Sequence, residues 1–353
     1  MHLKNTIVLG IEATAHTFGA GIIESKAGSA IAITSKNTKV LANEFDKYPS
    51  SLEGFIPRKL ADHHSNEAKK VIEASLEKAG ISLREIDLIA YSQGPGIGAC
   101  LRVGYSTARS LSLLLSKPLV PANHTIAHVE IGKWECNCKD PLIVYVSGGN
   151  TQIAARQEKK GKTAYHVFGE TLDIGIGNFL DVIGRHLSLV PPDAVGVMKK
   201  AGEYSQQAGG PANADYFELP YTVKGMNLAF SGLQTSVLRA AREKKSPLGQ
   251  LCFSAQETAF AMLVEASERA LCHTQKSEVL LVGGVARNTR LQEMYSSMCR
   301  GQKVRFEVVS PEYAGDQGAM IALAGLKNHW GKVKFASTSP NQDLRLDSQE
   351  IKW

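Results

Sequence analysis

TIVLGIEATAHTFGAGIIE, residues 6 to 24, and LIVYVSGGNTQIAA, residues 142 to 155, decide how the chain is read. In each, two short runs of β-type composition flank a turn of glycine or small residues, which predicts a hairpin. A second pair of segments repeats a second plan. Residues 87 to 92 and 278 to 282 read as buried strands, and each runs through glycines (Gly94, Gly96 and Gly98; Gly283 and Gly284) into an amphipathic helix. Each half of the chain therefore carries a hairpin and a strand-glycine-helix unit, the pattern of an internal duplication in an α/β protein.

At ~150 residues per domain, 353 residues make about two domains. The expected boundary lies just before the second hairpin, giving an α/β unit over 1–138, a second over 139–330 and a polar tail over 331–353. Helices are expected at 65–79, 103–115, 123–133, 254–273 and 315–330, the fourth opening on a capping box of Ser254 and Glu257. Residues 202–223, rich in glycine, proline and alanine, read as an irregular excursion.

A hydrophobic share of 43% and a charged share of 21% are those of an ordinary globular protein, which excludes disordered and fibrous classes. No apolar run reaches the ~18 residues of a membrane span. Residues 6–23 carry Glu12 and His16 and lack a basic lead or cleavage site, so no signal peptide is expected. Six cysteines without regular spacing describe no disulfide framework, and a reducing, cytoplasmic setting is expected. The net charge of +6 permits a phosphate-rich partner without naming one. Arg239, Arg242, Lys244 and Lys245 form a basic cluster that reads equally well as a solvated helix face.

Two glycine-tipped or small-residue hairpins suit a nucleotide cleft, since exposed backbone amides approach phosphate where no Cβ intervenes. Glu12, Thr14 and Ala15 would line the first, and Ser147, Gly148, Gly149 and Asn150 the second; taken alone, the second is equally an ordinary tight turn. The chain has neither a P-loop nor a strand-to-helix G-x-G-x-x-G. His124 and His128 lie four apart on an expected helix, so both imidazoles project from one face. Such a pair is also common by chance. Thr125 stands where a zincin protease has its glutamate base, and Glu130 falls on another face. Singly, Tyr145 reads as a core strand residue and Asp316 as an acid at a helix start.

The segments GIEATAHTFGAGI (10–22), PRKLADHH (57–64), SQGPGIGACLRVG (92–104), KPLVPANHTIAHVE (117–130), YVSGGNTQI (145–153), GETLDIGIGNFLD (169–181), LPYTVKGMNLAFSGL (219–233), SAQETAFAMLVEASERAL (254–271), LLVGGVARNTRL (280–291) and GDQGAMIA (315–322) together resemble the universal tRNA threonylcarbamoyladenosine biosynthesis family. The resemblance is to its archaeal and eukaryotic branch, the catalytic subunit of the KEOPS complex, formerly labelled O-sialoglycoprotein endopeptidase. It implies an actin-like, sugar-kinase-like ATPase fold, two α/β domains with a nucleotide cleft between them. It implies a divalent metal, iron or zinc, held by His124, His128, Tyr145 and Asp316. It places substrate contacts on Tyr145, Val146, Ser147, Gly148, Gly149, Asp181 and Asn288. ATP or threonylcarbamoyl-AMP is the implied nucleotide, and no catalytic residue beyond the metal ligands is required.

The implied reaction moves a threonylcarbamoyl group from threonylcarbamoyl-AMP to the exocyclic amine of the adenosine 3′ of the anticodon, in tRNAs reading codons that begin with A. The implied partners are an atypical small protein kinase, a small dimerising subunit, a tRNA-binding subunit and tRNA itself. The chain departs from the family pattern at 192–198, PDAVGVM, where a glycine becomes Ala194 and a nucleoside-contacting acid becomes Met198. Lys59 reverses a family charge and Gln317 replaces an asparagine, while His63, His64, Cys136 and Cys138 receive no role.

Overall fold

The computed structural model describes residues 5–49, 54–159 and 161–353. The first hairpin is β1 (Thr6–Glu12) and β2 (Thr17–Ser25), extended by β3 (Thr38–Lys47). After α1 (Pro57–Ala79) comes β4 (Leu88–Gly94), then α2 (Gly98–Leu115), β5 (Leu119–Asn123) and α3 (His124–Cys136). The second hairpin is β6 (Leu142–Val146) and β7 (Thr151–Lys159), with β8 (Lys162–Glu170) beside it. Then follow α4 (Ile176–His186), α5 (Ala194–Gln207), the two-residue strands β9 (Val223–Lys224) and β10 (Asn227–Leu228), α6 (Ser231–Arg242) and α7 (Leu248–Thr274). The chain continues through β11 (Glu278–Val282), α8 (Thr289–Gln302), β12 (Arg305–Val308), the single turn α9 (Pro311–Ala314) and α10 (Gly318–Trp330).

The sheets run β3-β2-β1-β4-β5 and β12-β11-β6-β7-β8. In each, the hairpin and its neighbour are antiparallel, and two further strands join in parallel on the far side of the first hairpin strand. The same order twice is the duplicated, actin-like α/β architecture that the resemblance implies. In β1 the alternate residues Leu9 and Ile11 face one apolar cluster with Val71 and Ile72 of α1, while Val8 faces another with Ile321 and Leu323 of α10. A strand covered on both faces reads as one apolar run rather than an alternation, which is why the buried strands were legible.

The helix α10 packs on the first sheet, although the sequence groups it with the second unit. Its approach is backbone to backbone: a Cβ on Gly21 would stand 2.0 Å from Ala319 N, and one on Gly10 would stand 2.2 Å from Gly318 O. Glycines there let the helix close on the strands, an arrangement that links residues ~300 apart and leaves no trace in local periodicity.

Other expectations shift in detail. The helix α7 begins at Leu248, so Ser254 is no cap; its buried hydroxyl accepts from Phe217 N at 2.8 Å and pins the irregular segment that precedes α6. That segment starts later than expected, because α5 runs on to Gln207. Asp316 lies between α9 and α10, where Gln317 caps Met320 N at 2.9 Å. The polar tail is strapped to both sheets: Gln93 donates to the carbonyls of Ser337 (2.7 Å) and Ser339 (3.0 Å), and Ile351 N donates to Thr163 O at 2.7 Å.

Candidate metal centre and nucleotide loop

Asn123 caps α3 by accepting from Thr125 N (2.9 Å) and Ile126 N (3.2 Å), which starts the helix at His124 and sets His128 one turn later on the same face. Their rings lie 4.7 Å apart and nearly perpendicular. The tight packing of α10 brings Asp316 opposite them: its Oδ1 is 3.2 Å from His128 Nε2 and 3.6 Å from His124 Nε2. One ligand atom from each of the three lies within 4.8 Å of the other two. Tyr145, at the end of β6 in the other half, sets its ring 5.3 Å from that of His128 and is buried.

The charge balance follows from burial and contact. Burial pushes the His124 imidazole down, but the carboxylates of Glu12 and Asp316 outweigh it and lift the group to about 9. Burial and the neighbouring His124 push His128 below its ordinary value. Burial would raise Asp316, yet its contact with His128 and the two imidazole charges hold it below the usual carboxylate range. Tyr145 is pushed up by burial first and the Asp316 charge second. His128 Nδ1 is buried without a hydrogen-bond partner, a cost that a buried polar atom rarely bears unless something else satisfies it. Two imidazoles and a carboxylate around one point suit a first-row divalent cation.

Glu12, expected to line the first hairpin turn, takes a different place. It is fully buried at the end of β1; its Oε1 accepts from Thr14 N at 2.7 Å and its Oε2 lies 2.9 Å from His124 Nδ1. It therefore turns toward the histidine rather than lining an open turn, and a carboxylate on the far nitrogen fixes which one faces the centre. An acid closing an otherwise apolar strand is the sequence signal for that place. Glu130 is spent elsewhere: buried, it binds Lys327, accepts from Tyr165 and lies 3.6 Å from Lys133. A water-activating base at that position is thereby excluded.

The loop after β6 is held from behind and open in front. Ser147 Oγ accepts from Asn150 N (3.0 Å), Gly177 N donates to Ser147 O (3.1 Å) and Asn178 N to Gly148 O (3.0 Å). A Cβ on Gly175 would stand 2.5 Å from Gly148 O, so the start of α4 needs glycine to seat the loop. Gly148 and Gly149 are exposed, with open space where a Cβ would point. The Val146 side chain is in the core, leaving only its backbone to face a ligand.

Asp181 Oδ1 accepts from Ala194 N at 2.8 Å, tying it to the altered 192–198 segment, while burial raises its carboxyl above the ordinary value. Asp193 caps α5, accepting from Val195 N at 2.9 Å. Met198, where the family pattern has an acid, packs against the second apolar core. Asn288 caps α8 through Leu291 N (2.9 Å) and donates to Gln256 (3.0 Å).

A family model described as tRNA N6-adenosine threonylcarbamoyltransferase matches residues 39–323. A protein of that name from Staphylothermus marinus is 45% identical over 351 residues, covering 98% of this chain and 99% of the relative. One from Thermococcus kodakarensis is 44% identical over 349 residues, covering 98% and 99%. A probable bifunctional tRNA threonylcarbamoyladenosine biosynthesis protein from Methanocaldococcus jannaschii is 45% identical over 351 residues, covering 98% of this chain and 60% of that longer relative. Among solved structures, HypF of T. kodakarensis superposes with a TM-score of 0.58 at 14% identity, covering 92% of this chain and 48% of that one; the likeness is one of fold.

Proposed function

From the premise that the chain belongs to the tRNA N6-adenosine threonylcarbamoyltransferase family, we propose that it transfers threonylcarbamoyl from threonylcarbamoyl-AMP to the exocyclic amine of the adenosine 3′ of the anticodon. The acceptors are tRNAs reading codons that begin with A, and the setting is the cytoplasm. The observation that carries this reading is the cluster of buried His124 and His128 with half-buried Asp316, faced by Tyr145 from the other half and followed two residues later by the open loop.

His124, His128, Tyr145 and Asp316 would hold the cation, iron or zinc, which when bound supplies Lewis-acid polarisation of the carbamoyl group. The remaining work falls to the chain. Amides of Gly148 and Gly149 face phosphate, the Ser147 amide being taken instead by Asn150 O at 2.8 Å, and Asp181 and Asn288 face the nucleoside. The amine nitrogen bonds to the carbamoyl carbon, the bond from that carbon to the phosphate oxygen breaks, the amine gives up a proton and AMP departs. No side-chain nucleophile is needed. Met198 leaves the nucleoside with one acid fewer than the family pattern supplies.

The partners we propose are those of the KEOPS complex: a small atypical kinase, a small dimerising subunit and a tRNA-binding subunit. The exposed Arg239, Arg242, Lys244 and Lys245 at the end of α6 support tRNA contact. No helix among the described residues is long and apolar enough to cross a membrane. The test is transfer of labelled threonine from threonylcarbamoyl-AMP to unmodified tRNA, which His124→Ala should abolish.

A further inference from the structure

Phe55 is 40% exposed, yet its ring is not idle: it stacks on His16, with centroids 5.1 Å apart and planes 14° from parallel. It joins none of the three apolar clusters of the core. The pair stands beside the metal centre, because Thr14 Oγ1 is 3.4 Å from His124 Nδ1 and His16 follows only two residues later, within roughly 7 Å of chain. His16 lies in the turn between β1 and β2, so the pair stands on the first-sheet side of the centre.

His16 is also held in place. His16 O accepts from Tyr48 N at 2.8 Å, and His64 Nε2 reaches Ala15 O at 3.0 Å. His63, beside it on α1, reaches Asp46 Oδ1 at 2.8 Å. An exposed aromatic fixed at the mouth of a nucleotide cleft has the properties of a base-stacking platform, which accepts a single-stranded base on its π face.

We propose that the Phe55 and His16 rings form the platform on which the acceptor adenine of the tRNA anticodon loop lies as its amine enters the cleft. The inference rests on the transferase reading above, in which the loop after β6 takes the adenylate and leaves the first-sheet wall to the acceptor.

Two readouts test it on the full chain. In the transfer assay, Phe55→Ala should raise KM for tRNA about tenfold or more with kcat nearly unchanged, Phe55→Trp should stay close to wild type, and KM for threonylcarbamoyl-AMP should not move. Independently of turnover, an anticodon stem-loop carrying 2-aminopurine at the acceptor position should lose fluorescence on binding wild type and keep it with Phe55→Ala. Equal quenching by both proteins, no quenching by wild type, or a rise confined to KM for the adenylate would overturn the proposal. Absent transfer by wild type with the quenching difference intact would instead contradict the transferase reading alone.

Discussion

Glu12 Oε2 lies 2.9 Å from His124 Nδ1, and neither group reaches solvent to any extent: the side chains are 0% and 7% exposed. The carboxylate leaves Nε2 as the nitrogen that faces Asp316. Glu12→Gln should therefore lower affinity for zinc, followed by calorimetric titration, by about ten- to a hundredfold while the fold persists. Unchanged affinity would show that the contact serves packing alone.

Asp181 has two demands on it, the Ala194 amide that it already accepts and the nucleoside that we assign to it. Asp181→Ala should cost about 1–2 kcal/mol in urea unfolding by leaving a half-buried amide unpaired, and should weaken nucleotide binding as well. Asp181→Asn, which keeps the acceptor, should recover most of the stability. Binding that follows stability in both variants would remove Asp181 from the nucleotide site.

Glu130 and Lys327 form a pair with side chains 0% and 8% exposed. Removing one partner strands the other, so Glu130→Gln should destabilise by about 3–5 kcal/mol. Pairing it with Lys327→Met should return much of that loss in denaturant midpoint. If the double variant is no better than the single one, the ion pair is not what holds α3 to α10.

His64 is buried under the 13–16 turn, where burial first, then the charge of His63, push it down to about 4, with the Ala15 carbonyl opposing and His16 adding to the fall. Its folded value lies below its unfolded value of about 6.5, so between these the unfolded chain binds the extra proton. The contribution is complete above pH ~6.5 and is lost as pH falls toward ~4. Relative to His64→Asn, wild type should lose up to about 3 kcal/mol over that window. Parallel pH curves for the two proteins would contradict this.

Much of the fold was legible because buried strands carry their signature locally: β1, β6 and β11 are apolar runs ending in glycine or small residues. The α3 histidines were legible for the same reason, since a four-residue spacing is a local fact. What escaped depends on contacts between distant segments. Ser254 has the pattern of a cap but is spent on Phe217, α10 crosses back to the first sheet, and Glu12 meets His124 across 112 positions. The polar tail lacked periodicity because its backbone bonds to single residues of β4 and β8, not to a continuous ladder.

The central claim is tested most directly by single-turnover transfer of radiolabelled threonine from threonylcarbamoyl-AMP to unmodified tRNA, by the full chain with its partner subunits, comparing wild type with His124→Ala after metal content is measured in both. The account predicts product from wild type, and neither bound metal nor product from the variant, with nucleotide binding retained. Full transfer by a metal-free His124→Ala protein would contradict it.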